Sequence, residues 1–150
     1  MKVLMVCLGN ICRSPLAEGI LTHLVDENNM DWNVDSAGTS SWHIGEPPHK
    51  GSIEVAKDNG IDISHQKARQ FSINDFEKFD LILAMDSENL SNIMSMTTNE
   101  SHKNKVKLIL NYSNPGMNMA VPDPYYTGGF GNVFTLLENA CEQLLNNHKV

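Results

Sequence analysis

Apolar residues along this chain follow two rhythms, short continuous runs and longer stripes at helical spacing. The run Val3-Leu4-Met5-Val6 is apolar and partly β-branched, as a strand buried on both faces requires. Leu16, Ala17, Ile20, Leu21, Leu24 and Val25 then recur at helical spacing and fade at Asn28-Asn29. Trp32 to Ser36 reads as a second strand leading into Ala37-Gly38-Thr39. After Pro47-Pro48 a modest helix carries Ile53 and Ala56 and stops at Asn59-Gly60. Ser72-Ile73-Asn74-Asp75 has capping-box spacing ahead of Phe76. Phe79 to Met85 is a third strand, followed by a helix carrying Leu90, Ile93 and Met94, and Val106 to Leu110 is the fourth. Val133, Leu136, Leu137, Ala140, Cys141, Leu144 and Leu145 form the strongest stripe, in a helix predicted from Phe130 to Leu145. Asn111 to Gly129 fits neither pattern, and connections of that length inside a compact domain are usually functional or disordered.

Strands alternating with helices predict a parallel sheet with helices on both faces, in one domain spanning residues 1–150. Ligands of such sheets bind beyond the carboxyl ends of the strands. Cys7, Ser36 and Met85-Asp86 each end a predicted strand, so all three belong to that rim.

The chemistry concentrates where the first strand meets the first helix. Ser14-Pro15 reads as a helix start, with a hydroxyl at the N-cap and proline at the first helical position. Gly9-Asn10 supplies the turn before it, between Cys7 and Arg13. Backbone N–H groups converge at such a strand-to-helix turn, and the helix dipole adds positive potential. The planar fork of Arg13 suits phosphate oxygens. The same surroundings favour the thiolate of Cys7. An anion cradle with a nucleophile at its base describes a phosphoryl-transfer enzyme. A cysteine and an arginine at this spacing also co-occur by chance, but the strand, the turn and the proline agree independently. A metal site at Cys7 and Cys12 is disfavoured, because Arg13 would set a fixed positive charge beside the cation.

Composition narrows the class further. The 150 residues are 41% apolar and 19% charged, with a net charge of −7. That balance argues against a nucleic-acid partner and against an anionic membrane surface. An acidic protein that takes phosphate must do so through local geometry. The first apolar run is too short for a signal peptide, and no stretch is long enough for membrane insertion. Three cysteines make no disulfide framework, so a cytoplasmic protein is expected. In the long connection, Asp123 lies between Pro122 and Pro124, which restrict the backbone on both sides. A carboxylate held in this way suits proton transfer, although an Asp-Pro turn by itself is commonplace.

The run Cys7-Leu8-Gly9-Asn10-Ile11-Cys12-Arg13-Ser14-Pro15 closely resembles the signature loop of the low-molecular-weight protein tyrosine phosphatases. Asp123-Pro124-Tyr125-Tyr126 before a final amphipathic helix resembles their general-acid loop, so the likeness extends from Lys2 nearly to the C-terminus. The resemblance implies a flavodoxin-like, four-stranded parallel sheet of order 2-1-3-4. It further implies a phosphocysteine on Cys7, with Arg13 and the amides of Leu8, Gly9, Asn10, Ile11, Cys12 and Arg13 holding the phosphate. Asp123 becomes general acid and base, and Ser14 donates to the departing thiolate. Asn10 takes a strained left-handed turn braced by Ser36, and Asp86 stands near Arg13. Tyr125 and Trp42 form an aromatic slot, with His43, Glu46 and Tyr126 as further specificity residues. No metal or cofactor is implied, and the substrate is a phosphotyrosine protein, in some relatives a tyrosine kinase.

One segment departs from the family pattern. Where many members carry a histidine that supports the loop, this chain has Gln66, with His65 displaced by one position. His23, His49, His102 and His148 read as surface residues, and Cys141 as core. Two rival enzymes share the scaffold. Arsenate reductases need further cysteines near the third strand, and none lies between Phe79 and Asn99. Protein-arginine phosphatases carry threonine where Ile11 stands and usually lack the tyrosine at Tyr125. A phosphopeptide-binding module without catalysis would have lost Cys7, Arg13 or Asp123, and all three are present. Cys12, five residues from Cys7, is also a candidate to protect an oxidised Cys7 by forming a disulfide.

Overall fold

The computed structural model describes residues 1–148. Strand β1 (Lys2–Cys7) lies inside a four-stranded sheet of order β2-β1-β3-β4. Its partners are β2 (Asn33–Gly38), β3 (Leu81–Ala84) and β4 (Val106–Leu108), and every pairing is parallel. Helices α1 (Arg13–Glu27), α2 (Lys50–Asp58), α3 (Asp75–Lys78), α4 (Ser87–Met94), α5 (Glu100–Lys103), α6 (Pro124–Thr127) and α7 (Phe130–His148) complete the fold.

The period of two in β1 divides the core. Val3, Met5 and Cys7 pack with α1 and α7 on one face, while Leu4 and Val6 meet Phe71, Phe76, Phe79 and Ile93 on the other. β3 repeats the division, with Leu81 and Leu83 on the first face and Ile82 and Ala84 on the second. This two-sided burial is why both strands read as continuous apolar runs. α7 presents Leu137, Ala140, Cys141 and Leu144, all fully buried, against α1 and the sheet. Because β2 and β3 flank β1, the strand order reverses there, and the crevice opens at its carboxyl end, at Cys7.

Several boundaries differ from the sequence expectation. Ser14 is not the N-cap of α1. The helix begins at Arg13 with Cys12 as its cap, and the Ser14 hydroxyl faces Cys7 and Asn10. β2 starts and ends later than Trp32–Ser36, and β4 ends at Leu108, where Ile109–Asn111 tightens into a 3-10 turn. α5 and α6 were unmarked by periodicity, because four residues hold barely one helical turn. Asn99 and Asp123 start them as N-caps, accepting from Ser101 N and Tyr125 N. Two histidines expected at the surface are packed. His102 stacks on Phe76 at 4.9 Å, and His49 caps α2 while its ring stacks on Phe130 at 5.1 Å. No helix among the described residues is long and apolar enough to cross a membrane.

Candidate active site

The loop between β1 and α1 curls around an open centre. Asn10 adopts φ 57°, a left-handed conformation that an L-residue takes only when its surroundings hold it there. Its side chain is the brace, since Nδ2 donates to Ser36 Oγ at 2.9 Å and to Ser14 Oγ at 2.8 Å. Oδ1 accepts from Arg69 N at 3.0 Å. The end of β2 lies directly under the loop. A Cβ on Gly38 would stand 2.8 Å from Leu8 O and 3.1 Å from Asn10 N, so only glycine admits this approach. Thr39 N and Ser40 N also donate to the carbonyls of Cys7 and Leu8.

Cys7 sits at the floor of this ring. Its sulfur lies 3.0 Å from Ser14 Oγ and receives Asn10 N–H at 3.3 Å. Arg13 is only 3% exposed, and Nη1 donates to Asp86 Oδ2 at 2.6 Å and to Val121 O at 3.0 Å. Nη1 is thereby committed, leaving the Nε–Nη2 edge as a fork for two oxygens of one anion. Burial works against the Arg13 cation. The charge of Cys7, with the hydrogen bond and charge of Asp86, nonetheless holds its pKa above the ordinary value. Val121 is itself buried, and its N–H donates to Met85 O, so the long connection is anchored to the end of β3.

That anchor brings Asp123 to the site. Its Oδ2 stands 3.5 Å from Arg13 Nη2, while Oδ1 accepts from Tyr125 N at 3.1 Å. The cleft holds about 130 Å³ above Cys7, Leu8, Gly9, Ile11, Cys12 and Arg13. Trp42, His43, Asp123, Tyr125 and Tyr126 complete its lining. Trp42 is 68% exposed and Tyr126 is 71% exposed, so both stand at the mouth. The His43 ring faces Tyr125 at 6.2 Å, and its Nδ1 lies 2.9 Å from Glu46 Oε2.

Most predicted site residues line this cleft, while Asn10, Ser14 and Ser36 support its floor. Asp86 holds Arg13, and Glu46 lies outside the lining and meets it only through His43. Neither His65 nor Gln66 hydrogen-bonds the loop between β1 and α1. Gln66 Nε2 donates instead to Pro15 O at 3.2 Å. Two supporting residues were not anticipated. Arg69 is clamped by Asp35 and Asp75, which aims its backbone N–H at Asn10. Glu18 accepts the Ser36 hydroxyl at 2.7 Å. The available signal was a lone carboxylate inside the apolar stripe of α1, between Ala17 and Gly19.

Comparison with known proteins agrees over the whole chain. The family model described as low molecular weight phosphotyrosine protein phosphatase matches residues 2–150. The chain is 46% identical over 148 residues to the low molecular weight protein-tyrosine-phosphatase YfkJ of Bacillus subtilis, covering 96% of this chain and 93% of that protein. The crystal structure of YfkJ superposes with a TM-score of 0.91 at 45% identity, covering 98% of this chain and 93% of the other. A Drosophila arginine phosphatase superposes with a TM-score of 0.92 at 38% identity, covering 100% of this chain and 99% of that one. With an asparagine-braced loop on a 2-1-3-4 parallel sheet and this breadth of likeness, the chain belongs to the low molecular weight phosphotyrosine protein phosphatase family.

Proposed function

We propose that the chain hydrolyses phosphotyrosine in proteins through a phosphocysteine intermediate. The observation that carries this reading is Cys7 at the base of a cleft lined by both the Nε–Nη2 edge of Arg13 and the carboxylate of Asp123, which are paired at 3.5 Å. Cys7 thiolate attacks phosphorus, and the bond to the tyrosine oxygen breaks with its electron pair on that oxygen. Asp123, as the acid, protonates it. Arg13 and the loop N–H groups hold the equatorial oxygens, where charge is spread in the transition state. Water then attacks phosphorus and gives its proton to Asp123. The sulfur–phosphorus bond breaks with its electrons on sulfur, and Ser14 O–H donates to the departing thiolate.

Trp42 and Tyr125 form a slot for a flat ring, and phosphoserine has too short a stem to reach Cys7 from its mouth. The likeness to an arginine phosphatase supports a second reading, phosphoarginine hydrolysis. Ile11, where that class carries threonine, favours phosphotyrosine. Steady-state comparison of phosphotyrosine, phosphoserine and phosphoarginine peptides should show kcat/KM highest for phosphotyrosine. Ile11→Thr should shift the ratio toward phosphoarginine. Wild-type preference for phosphoarginine would overturn the substrate assignment. The reading places the enzyme in the cytoplasm, with a tyrosine kinase among the phosphoproteins it could serve.

Cys12 adds a redox prediction. Burial, then the charges of Cys7 and Asp123, push its thiol up to about 12, so Cys12 is not the sulfur that peroxide attacks first. Peroxide converts Cys7 to a sulfenic acid, which condenses with the Cys12 thiol, releasing water and forming a disulfide. Wild type should recover with dithiothreitol and be protected by phosphate, whereas Cys12→Ser should be lost irreversibly. Equal recovery would leave Cys12 as packing beside Ile11 and Ala68.

A further inference from the structure

Beneath the floor of the cleft runs a continuous chain of polar contacts. Cys7 Sγ lies 3.0 Å from Ser14 Oγ, which accepts from Asn10 Nδ2 at 2.8 Å. Asn10 Nδ2 also donates to Ser36 Oγ at 2.9 Å, and Ser36 Oγ donates to Glu18 Oε1 at 2.7 Å. The donor inventory gives the chain a direction. Both amide protons of Asn10 point at hydroxyl oxygens, and the Arg69 N–H on Oδ1 forbids an amide flip. A carboxylate at the far end can only accept, so the single proton of Ser36 goes to Glu18. Ser14, accepting from Asn10, is left with its own proton directed at Cys7.

We propose that Glu18 is a positioning residue for Cys7, its carboxylate setting the direction of the Ser36–Asn10–Ser14 chain and its protonation loosening that chain. The proposal rests on the reading of Cys7 as nucleophile. A protonated Glu18 would place its own O–H against Ser36 Oγ. That oxygen would then meet two donors, and its proton would lack an acceptor.

The surroundings set the range in which this happens. Glu18 opens onto a small cleft that its own helix lines with His23 and Asp26, and that the chain before Arg69 lines with Asp62 and His65. Asp35 faces it from β2, and Arg69 lies across the same layer. Neither nearby donor group pairs with it. Gln66 Nε2 turns to Pro15 O, and the guanidinium of Arg69 is held by Asp35 and Asp75. Burial pushes the Glu18 carboxyl up to about 7, the Ser36 bond opposing, Asp35 adding to the rise and Arg69 opposing it. Glu18 therefore changes charge near neutrality.

Glu18→Gln tests this, because its Oε1 still accepts from Ser36 and cannot titrate there. Measured are kcat for p-nitrophenyl phosphate and the rate of Cys7 alkylation by iodoacetamide, from pH 5.5 to 8.5, in wild type and variant. Dividing wild type by variant cancels every pH dependence the two proteins share, including that of the substrate. One redirected hydrogen bond predicts a kcat ratio that rises with pH through neutrality by roughly 3- to 10-fold. The alkylation ratio should change over the same range. Ser36→Ala, which cuts the chain and leaves Glu18 in place, should lose the same inflection. Ratios flat with pH in both measurements would overturn the proposal and reduce Glu18 to a structural group. An inflection in alkylation with a flat kcat ratio would overturn the positioning role of Glu18 in turnover, whereas turnover by Cys7→Ser would refute the nucleophilic role of Cys7 instead.

Discussion

Cys7→Ser should abolish phosphotyrosine hydrolysis, by roughly 10⁴-fold or more in kcat, while leaving phosphate binding intact. Serine differs at this position by one atom, and its hydroxyl stays protonated where the thiol can ionise. The cradle itself does not depend on sulfur. Asn10 is held by Ser36, Ser14 and Arg69, and Arg13 by Asp86 and Val121. Of these only Ser14 contacts the Cys7 sulfur, a contact a serine hydroxyl can also make. Calorimetric titration with phosphate should register an affinity at least as high as that of the wild type. Arg13→Ala should behave differently and lose both turnover and binding. It also strands the buried Val121 carbonyl and the Asp86 carboxylate, so it should destabilise the fold by about 1–3 kcal/mol. Measurable turnover by purified Cys7→Ser, free of wild-type contamination, would falsify the covalent route.

The second large effect belongs to Asp123. Loss of general-acid assistance costs on the order of 10²–10⁴-fold, most for leaving groups of high pKa. Asp123→Ala should therefore slow unsubstituted phenyl phosphate far more than nitrophenyl phosphate, whose phenolate departs without a proton. Asp123 also caps α6 through Tyr125 N, so the alanine variant loses a structural contact of about 1 kcal/mol as well. Asp123→Asn separates the roles, because its amide oxygen keeps the cap and its amide supplies no proton of the required acidity. The two variants should show the same dependence on leaving group. A uniform loss across the phenyl phosphate series, or full activity in Asp123→Asn, would assign the residue to loop structure alone.

The parts legible in the sequence were those whose determinants are local. The continuous apolar run of β1 and the stripes of α1 and α7 needed only neighbours along the chain. A parallel sheet with helices on both faces followed from their alternation, while the order 2-1-3-4 came from the family resemblance. The loop was readable because nine consecutive residues, Cys7 to Pro15, carry its turn, its thiol and its cation. Where local signals competed, reading by position failed. Ser14-Pro15 looks like a cap, but the Ser14 hydroxyl was needed by Cys7, and the helix starts one residue earlier. Neither α5 nor α6 is long enough to show a helical period, and only their capping side chains mark them.

By itself the sequence determined the strand–helix order and the Cys7–Arg13 loop proposed as nucleophile and anion cradle, since each rests on residues a few positions apart. Tertiary structure alone decided which distant groups complete that cradle. Val121 and Asp123 reach the site because one backbone N–H meets Met85 O and one carbonyl meets Arg13, contacts that no periodicity encodes. Glu18, Ser36 and the Arg69–Asp75 pair lie far apart in the chain and meet beneath Asn10 only because β2 and the segment after α2 close on α1. Hydrogen bonds are short-ranged and directional, so polar partners separated by tens of residues become visible only once the fold has placed them.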